Sequence, residues 1–161
     1  MRVLGIDPGL GVTGYAVVEL TGAQPRLVEA GAIRPPARKP LPERLLAAHA
    51  DVTAILRELS PEVMGLESLF SEYKFPRSAL QMAHVRGVVC LAAAAAGVPV
   101  VDIAPSEVKN AVVGEGRASK AQMQRTVQSL FALKNTPAPA DVADAIAIAT
   151  AVAYRAMRGV R

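Results

Sequence analysis

Val3-Leu4-Gly5-Ile6-Asp7-Pro8-Gly9 opens the chain with an apolar run that stops abruptly at a carboxylate and a turn. A run of this kind, bounded by turn residues, reads as a buried strand, so Asp7 stands where the strand surfaces and the sheet beneath holds it in place. An acid at such a point is either a turn-former, since Asp before Pro-Gly is ordinary turn chemistry, or a chemical tool. The rest of the chain has to decide.

Outward from this stretch, Thr13 to Glu19 has the Val, Tyr and Thr content of a strand, and Arg26 to Ile33 supplies a third after the Gly22 turn. Short connections make these three an antiparallel meander. The Pro-rich segment from Arg34 to Pro42 ends it, and apolar residues then recur at helical spacing from Leu41 to Leu59, up to the Ser60-Pro61 stop. Val63-Met64-Gly65-Leu66-Glu67 repeats the opening pattern: a second apolar strand ending in an acid. A long helix is predicted from near Pro76 through Leu80, Met82, Val85, Val88, Val89 and the run Ala92 to Ala96, with a fifth strand over Val98 to Ile103. Pro105 to Val113 reads as a short helix and Gly114 to Ala118 as a loop. Ser119 with Gln122 forms a capping box for a helix reaching Leu133, and Asn135 to Pro139 is a stiff connector. A last helix runs from about Ala140 to Met157, with Val142, Ala145, Ile146, Ala149 and Val152 or Ala153 facing inward. Strands joined through helices are parallel neighbours, so the order predicts an α/β fold with a mixed five-stranded sheet covered by helices.

The 161 residues fit one domain over 1–161, large enough to bury a sizeable core. The longest apolar stretch, Gly87 to Val101, is broken by Gly97 and Pro99 and falls short of a membrane span. The first residues lack a secretory pattern and Cys90 is alone, which predicts a reducing, cytoplasmic home. The net charge is +4. If four of the 14 acids serve one metal site, the 18 cations outweigh the remaining ten and leave +8, an acidic spot in a basic surface.

Those four acids are Asp7, Glu67, Asp141 and Asp144, each at the end of an otherwise apolar element. Asp141 and Asp144 are three residues apart and project from one side of a helical turn. Acids in a first turn also suit the helix dipole, so one of the two needs no other explanation. Four do. Strand ends and a helix start can converge on one rim of a sheet, where clustered carboxylates repel one another unless a hard divalent cation joins them. Two such metals about 3.5 to 4 Å apart are the machinery of phosphodiester hydrolysis. Gly9-x-Gly11-x-x-Gly14 matches a dinucleotide-binding pattern by letter, but a strand follows where that motif needs a helix.

Lys120 opens a helix whose dipole it opposes, so something must compensate, and a phosphate is one candidate, with Lys109 before it and Arg117 in the Gly-rich loop. Phe70, Tyr73 and Phe75 stand among Lys74 and Arg77 just after Glu67, a grouping suited to stacking on exposed bases. His49 has no acid or Cys at metal spacing and His84 lies on the long helix, so both read as ordinary surface or packing residues, and Cys90 reads as a small buried hydrophobe.

Gly5-Ile6-Asp7-Pro8-Gly9 with Thr13-Gly14-Tyr15, Glu67 with Phe70, Ala83-His84-Val85-Arg86-Gly87, Val108 to Gly114 and Ala140 to Ala149 resemble, in order, the blocks of the RuvC family of bacterial Holliday-junction resolvases. The resemblance spans nearly the whole chain and implies a ribonuclease-H-like fold. It implies that Asp7, Glu67, Asp141 and Asp144 are metal-binding catalytic acids with two Mg²⁺ or Mn²⁺ ions per site, in resolution of four-way DNA junctions. It further implies that Phe70 wedges or stacks at the junction, that Lys109 and Lys120 contact DNA, that the chain is a homodimer built on the helix containing Arg86 to Ala96, and that a RuvA-RuvB complex is a partner. Arg117, Lys74 and Arg77 are further DNA-contact candidates. Ser71 to Pro76 departs from the family pattern, and where some relatives carry a histidine near the last acidic pair, this chain has only acids. Two rivals stay open: a phosphotransferase of the actin and sugar-kinase type, whose first strand and turn are similar, and a junction-binding module without catalysis.

Overall fold

The computed structural model describes residues 1–22, 24–68 and 76–159, the side chains of 76–78 excepted. The strands are β1 (Arg2–Asp7), β2 (Thr13–Thr21), β3 (Gln24–Ile33), β4 (Val63–Glu67) and β5 (Val100–Ile103). The helices are α1 (Leu41–Leu59), α2 (Pro76–Ala95), α3 (Pro105–Val113), α4 (Lys120–Leu130) and α5 (Ala140–Met157). The sheet order is β3-β2-β1-β4-β5, with β1 antiparallel to β2 and parallel to β4, as the meander and crossover reading expects.

Side chains alternate across a sheet with a period of two, and here the alternation decides the site. Along β1, Leu4 and Ile6 enter the core shared with α1 and α2, whereas Val3 belongs to the core built on α5. Gly5 lies against Ala145 and Ala149 of α5. Asp7, two residues further, therefore faces the α5 side. Along β4 the same rule puts Met64 and Leu66 on the α1/α2 side and Gly65 against Ile148 and Val152, so Glu67 follows Gly65 to the α5 side. Two strand-end acids are thereby aimed at the helix that carries the other two.

How closely α5 approaches depends on what the sheet lacks. Gly5 pairs with Ala16 on one side and Gly65 on the other, which makes a row of minimal side chains under the helix. A Cβ on Gly5 would run into the Ala145 carbonyl and stand 2.5 Å from the Ala149 nitrogen. Gly14, the register partner of Asp7, would meet the backbone of Asp141 in the same way. Apart from Asp144, every residue of α5 from Val142 to Ala153 is buried. The expected inward face is present, but the helix is covered all round because α3 and α4 close its far side.

The element ends depart from expectation for local reasons. The Val98 amide donates to the carbonyl of Ala93, 2.9 Å away, which spends Val98 on ending α2, so β5 starts at Val100. Helix α4 stops at Leu130 because Ala132 takes a left-handed conformation, φ 49°, and the Leu133 amide turns back to the carbonyl of Gln128. The Ser119–Gln122 capping box is formed in both directions. On α2, Val85, Val89, Ala92 and Ala93 are buried, whereas Leu80 is 63% exposed. No helix among the described residues is long and apolar enough to cross a membrane.

Gly5→Ala should cost more than about 3 kcal/mol, the upper part of the range for overpacking, because its collision is with backbone. Gly11, beside which a Cβ meets nothing, should accept Ala within about 0.5 kcal/mol. Chemical denaturation of the two variants checks the pair; equal stabilities would mean that α5 can lift off its seat at little cost.

Candidate active site

Strand β1 delivers Asp7 and then turns at Pro8-Gly9. Buried Thr13 fastens that turn, accepting from the Gly9 amide at 3.2 Å and donating to the Gly9 carbonyl at 2.8 Å. Arg44 of α1 donates to the carbonyl of Leu10, 2.8 Å away. The turn is thus braced from inside the sheet and from the helix behind it, and Asp7 has a fixed base.

Asp7, Glu67 and Asp144 line one cavity of about 350 Å³, together with Lys109, Lys120, Pro105, Val108 and Met123. Asp141 is not in its wall, but its charge bears on Asp7. Burial, then Asp144, Asp141 and Glu67 in that order, push the Asp7 carboxyl from 3.8 up to about 7, with Lys120 opposing. Burial, then Asp144, likewise raise Glu67 above the usual carboxylate range, against the pull of Lys109 and Lys120. The Lys120 ammonium lies 3.0 Å from Asp144 Oδ2, and that hydrogen bond raises its own pKa. The compensation that a lysine at a helix start calls for comes, within the protein, from Asp144.

The four acids are therefore drawn into one electrostatic unit around Asp7. They do not close into a ligand cage: among the described residues no three His, Cys, Asp or Glu side chains are grouped tightly enough to hold one ion as they stand. The donor chemistry nevertheless fits a hard divalent cation. All the donors are carboxylate oxygens, burial and then the neighbouring acids raise the proton affinity of Asp7 and Glu67, and the cations that offset this are lysines, which are not metal ligands.

Of the other expected site residues, Lys109 and Lys120 stand at this cavity. Arg117 is exposed on the loop between α3 and α4, outside the cavity wall. Phe70 and Lys74, with Tyr73 and Phe75, lie outside the described residues, and the Arg77 side chain is not described. Three supports escaped the sequence reading. Thr13 could have been found as a polar residue in an apolar strand start. Arg44 and Arg86, the latter bonded to the Glu67 carbonyl at 2.6 Å, had no local signal, because their partners lie 34 and 19 residues away.

A family model described as crossover junction endodeoxyribonuclease RuvC matches residues 3–152. A crossover junction endodeoxyribonuclease RuvC of Rhodopirellula baltica is 47% identical over 96% of this chain and 86% of that relative. One from Chloroflexus aggregans is 46% identical over 97% of this chain and 94% of its own length. Among solved structures, T. thermophilus RuvC in complex with a Holliday junction substrate superposes with a TM-score of 0.93 at 36% identity, covering 99% of this chain and 97% of that one. The yeast mitochondrial Holliday junction resolvase Ydc2, 14% identical with a TM-score of 0.67 over 92% of this chain and 76% of its own, shares the fold. The architecture is ribonuclease-H-like, as expected.

The raised Asp7 pKa has a measurable consequence. The folded state holds this proton more tightly than the unfolded chain does, so the group costs nothing below about pH 4 and increasingly destabilises the fold as pH rises toward 7. Asp7→Asn should therefore raise the melting temperature of the metal-free protein at pH 8, a gain of up to about 4 kcal/mol that vanishes near pH 4. Thermal melts at the two pH values check it. Identical melting at pH 8 would show that Asp7 is better solvated than its surroundings indicate.

Proposed function

The chain belongs to the RuvC family of crossover junction endodeoxyribonucleases, and from that premise we propose that Asp7, Glu67, Asp141 and Asp144 are the catalytic acids of its junction-resolving site. The observation that carries this reading is the convergence of Asp7, Glu67 and Asp144 on one cavity, where burial and then the charges of Asp144, Asp141 and Glu67 raise the Asp7 carboxyl to about 7, in a chain whose other residues are strongly basic. Asp7, Glu67 and Asp144, with Asp141 behind Asp7, would hold two divalent cations, Mg²⁺ or Mn²⁺. When bound, such a pair supplies the Lewis acidity that makes water a nucleophile and stabilises charge on the leaving oxygen.

The protein's own groups do the rest. The sheet and the braced turn fix Asp7 and Glu67 on the α5 side, facing the helix that carries Asp141 and Asp144. Lys109 and Lys120, at the cavity, are the cations placed to take the phosphates on either side of the scissile bond, with Lys120 exchanging Asp144 for DNA. Arg117, Lys74 and Arg77 extend the contact along the backbone, and Phe70 stacks at the branch point. The single domain, 1–161, would act as a homodimer. The exposed side of α2, with Leu80 and Leu91 63% and 61% accessible beside Gly87, Ala94 and Ala95, is the face that suits a second copy. A two-fold dimer places two such sites on two symmetric strands. Cooperation with a RuvA-RuvB complex and a cytoplasmic location complete the proposal. A phosphotransferase of the actin type needs a second domain to enclose its nucleotide, and a match to a nuclease family over residues 3–152 leaves that rival, and the non-catalytic module, without support.

Two variants test the assignment on labelled four-way and linear duplex DNA run side by side. Asp7→Asn should bind the junction with wild-type affinity and leave it uncut in Mg²⁺; nicking at the wild-type rate would remove Asp7 from the catalytic set. Lys120→Ala should bind several-fold more weakly and lower the slope of log affinity against log salt by about one. An unchanged slope would take Lys120 off the list of phosphate contacts.

A further inference from the structure

Glu67 differs from Asp7 in how it is held. Pairing of β1 with β4 ends at Ile6 and Leu66, so beyond that point the β4 terminus depends on what lies to its other side. Among the described residues, one tie is the Ser68 amide, which donates to the carbonyl of Ile103 at 2.8 Å. The other is Arg86 of α2. Its Nη1 donates to the Glu67 main-chain carbonyl at 2.6 Å, while Nη2 is bonded to Asp102 Oδ1 of β5. The Arg86 side chain is only 14% exposed, and the Asp102 carboxylate that balances it is 63% exposed.

We infer that Arg86 is a positioning residue for the nuclease reaction, a fork that locks the end of β4 to β5 and α2 and so fixes where the Glu67 carboxylate stands in the cavity. The geometry suits that task. The guanidinium reaches the Glu67 carbonyl, and the cations that bear on the Glu67 carboxylate are Lys109 and Lys120. Arg86 orients the acid and leaves its charge available to a metal. A planar guanidinium can bond two acceptors on different elements at fixed angles, which an ammonium on a flexible stem cannot do. Being nearly buried, Arg86 has little surface to offer a DNA backbone. The network also continues outward: Arg155 of α5 donates to the Asp102 carbonyl at 3.4 Å and lies 3.7 Å from Glu107 of α3, the helix that carries Lys109. The clamp thus belongs to a frame joining the ends of β4, β5, α3 and α5.

This inference rests on the reading of Glu67 as a site acid, and Glu67→Gln is the control for that premise. Arg86→Lys and Asp102→Asn, the latter at an exposed position outside the cavity, are measured beside Arg86→Ala, with melting curves and sedimentation to verify fold and assembly. The expected result is unchanged junction Kd, a kcat lowered on the order of ten- to a hundredfold for Arg86→Ala, as for other residues that orient metal ligands, and a smaller loss for Asp102→Asn. The Mn²⁺ concentration that half-raises the melting temperature of the DNA-free protein should increase in parallel, a readout independent of cleavage. Combining Asp102→Asn with Arg86→Ala should add nothing. Folded Arg86 variants with wild-type kcat and wild-type Mn²⁺ stabilisation overturn the inference, as does a loss confined to junction Kd, which would make Arg86 a DNA contact. If Glu67→Gln itself cleaves normally, the premise fails instead.

Discussion

The close seating of α5 on the sheet is the constraint on which the molecule turns. Gly5, Gly65 and Ala16 form a row without bulk beneath Ala145, Ile148, Ala149 and Val152, and Gly14 clears the backbone at Asp141. A helix normally stands off the sheet it covers by the side chains of both, packed without voids. Along this row the sheet contributes almost none, and the helix settles until its first turn meets Gly14, the partner of Asp7 at the end of β1. The small residues that permit this are also what make α5 so Ala-rich, because a helix pressed between a sheet and two further helices has no room for larger groups.

That closeness has an electrostatic cost. Burying a carboxylate beside three others works against folding, and the raised proton affinities of Asp7 and Glu67 record how incompletely Lys109 and Lys120 offset it. A site of this kind stores in the folded protein a demand for positive charge that a divalent cation would meet. The surrounding braces follow from the same demand. Thr13 and Arg44 hold the Asp7 turn and Arg86 holds the Glu67 terminus, each by bonding backbone and none by spending its charge on the acids themselves.

Much of this was legible in the chain. Two apolar runs ending in Asp7 and Glu67 announce strands, and once they are strands a period of two decides the side on which both acids emerge. The i, i+3 spacing of Asp141 and Asp144 is equally local. What could not be read is whatever depends on distant partners. Lys120 looked in need of an anion, but that Asp144, 24 residues later, would supply it is a property of how α4 packs on α5. The full burial of α5 was hidden because its inward face reads like that of any amphipathic helix and its outer face is made of alanines, which tolerate either environment. The ends of β5 and α4 moved because Val98 and Ala132 were taken by helix termination, where backbone hydrogen bonds outrank residue preference.

The order of elements gives the α5 seat one more meaning. The sheet row that receives the helix is drawn from residues 5, 16 and 65, while the helix itself begins at Ala140. During synthesis, which delivers the chain from its N-terminal side, the sheet can pair and its α1/α2 side can be covered long before α5 emerges. Until then one apolar sheet face is open and only two of the four acids exist. The same event that closes the core brings Asp141 and Asp144 to Asp7 and Glu67, so a chain that lacks α5 has neither the closed core nor the assembled acids.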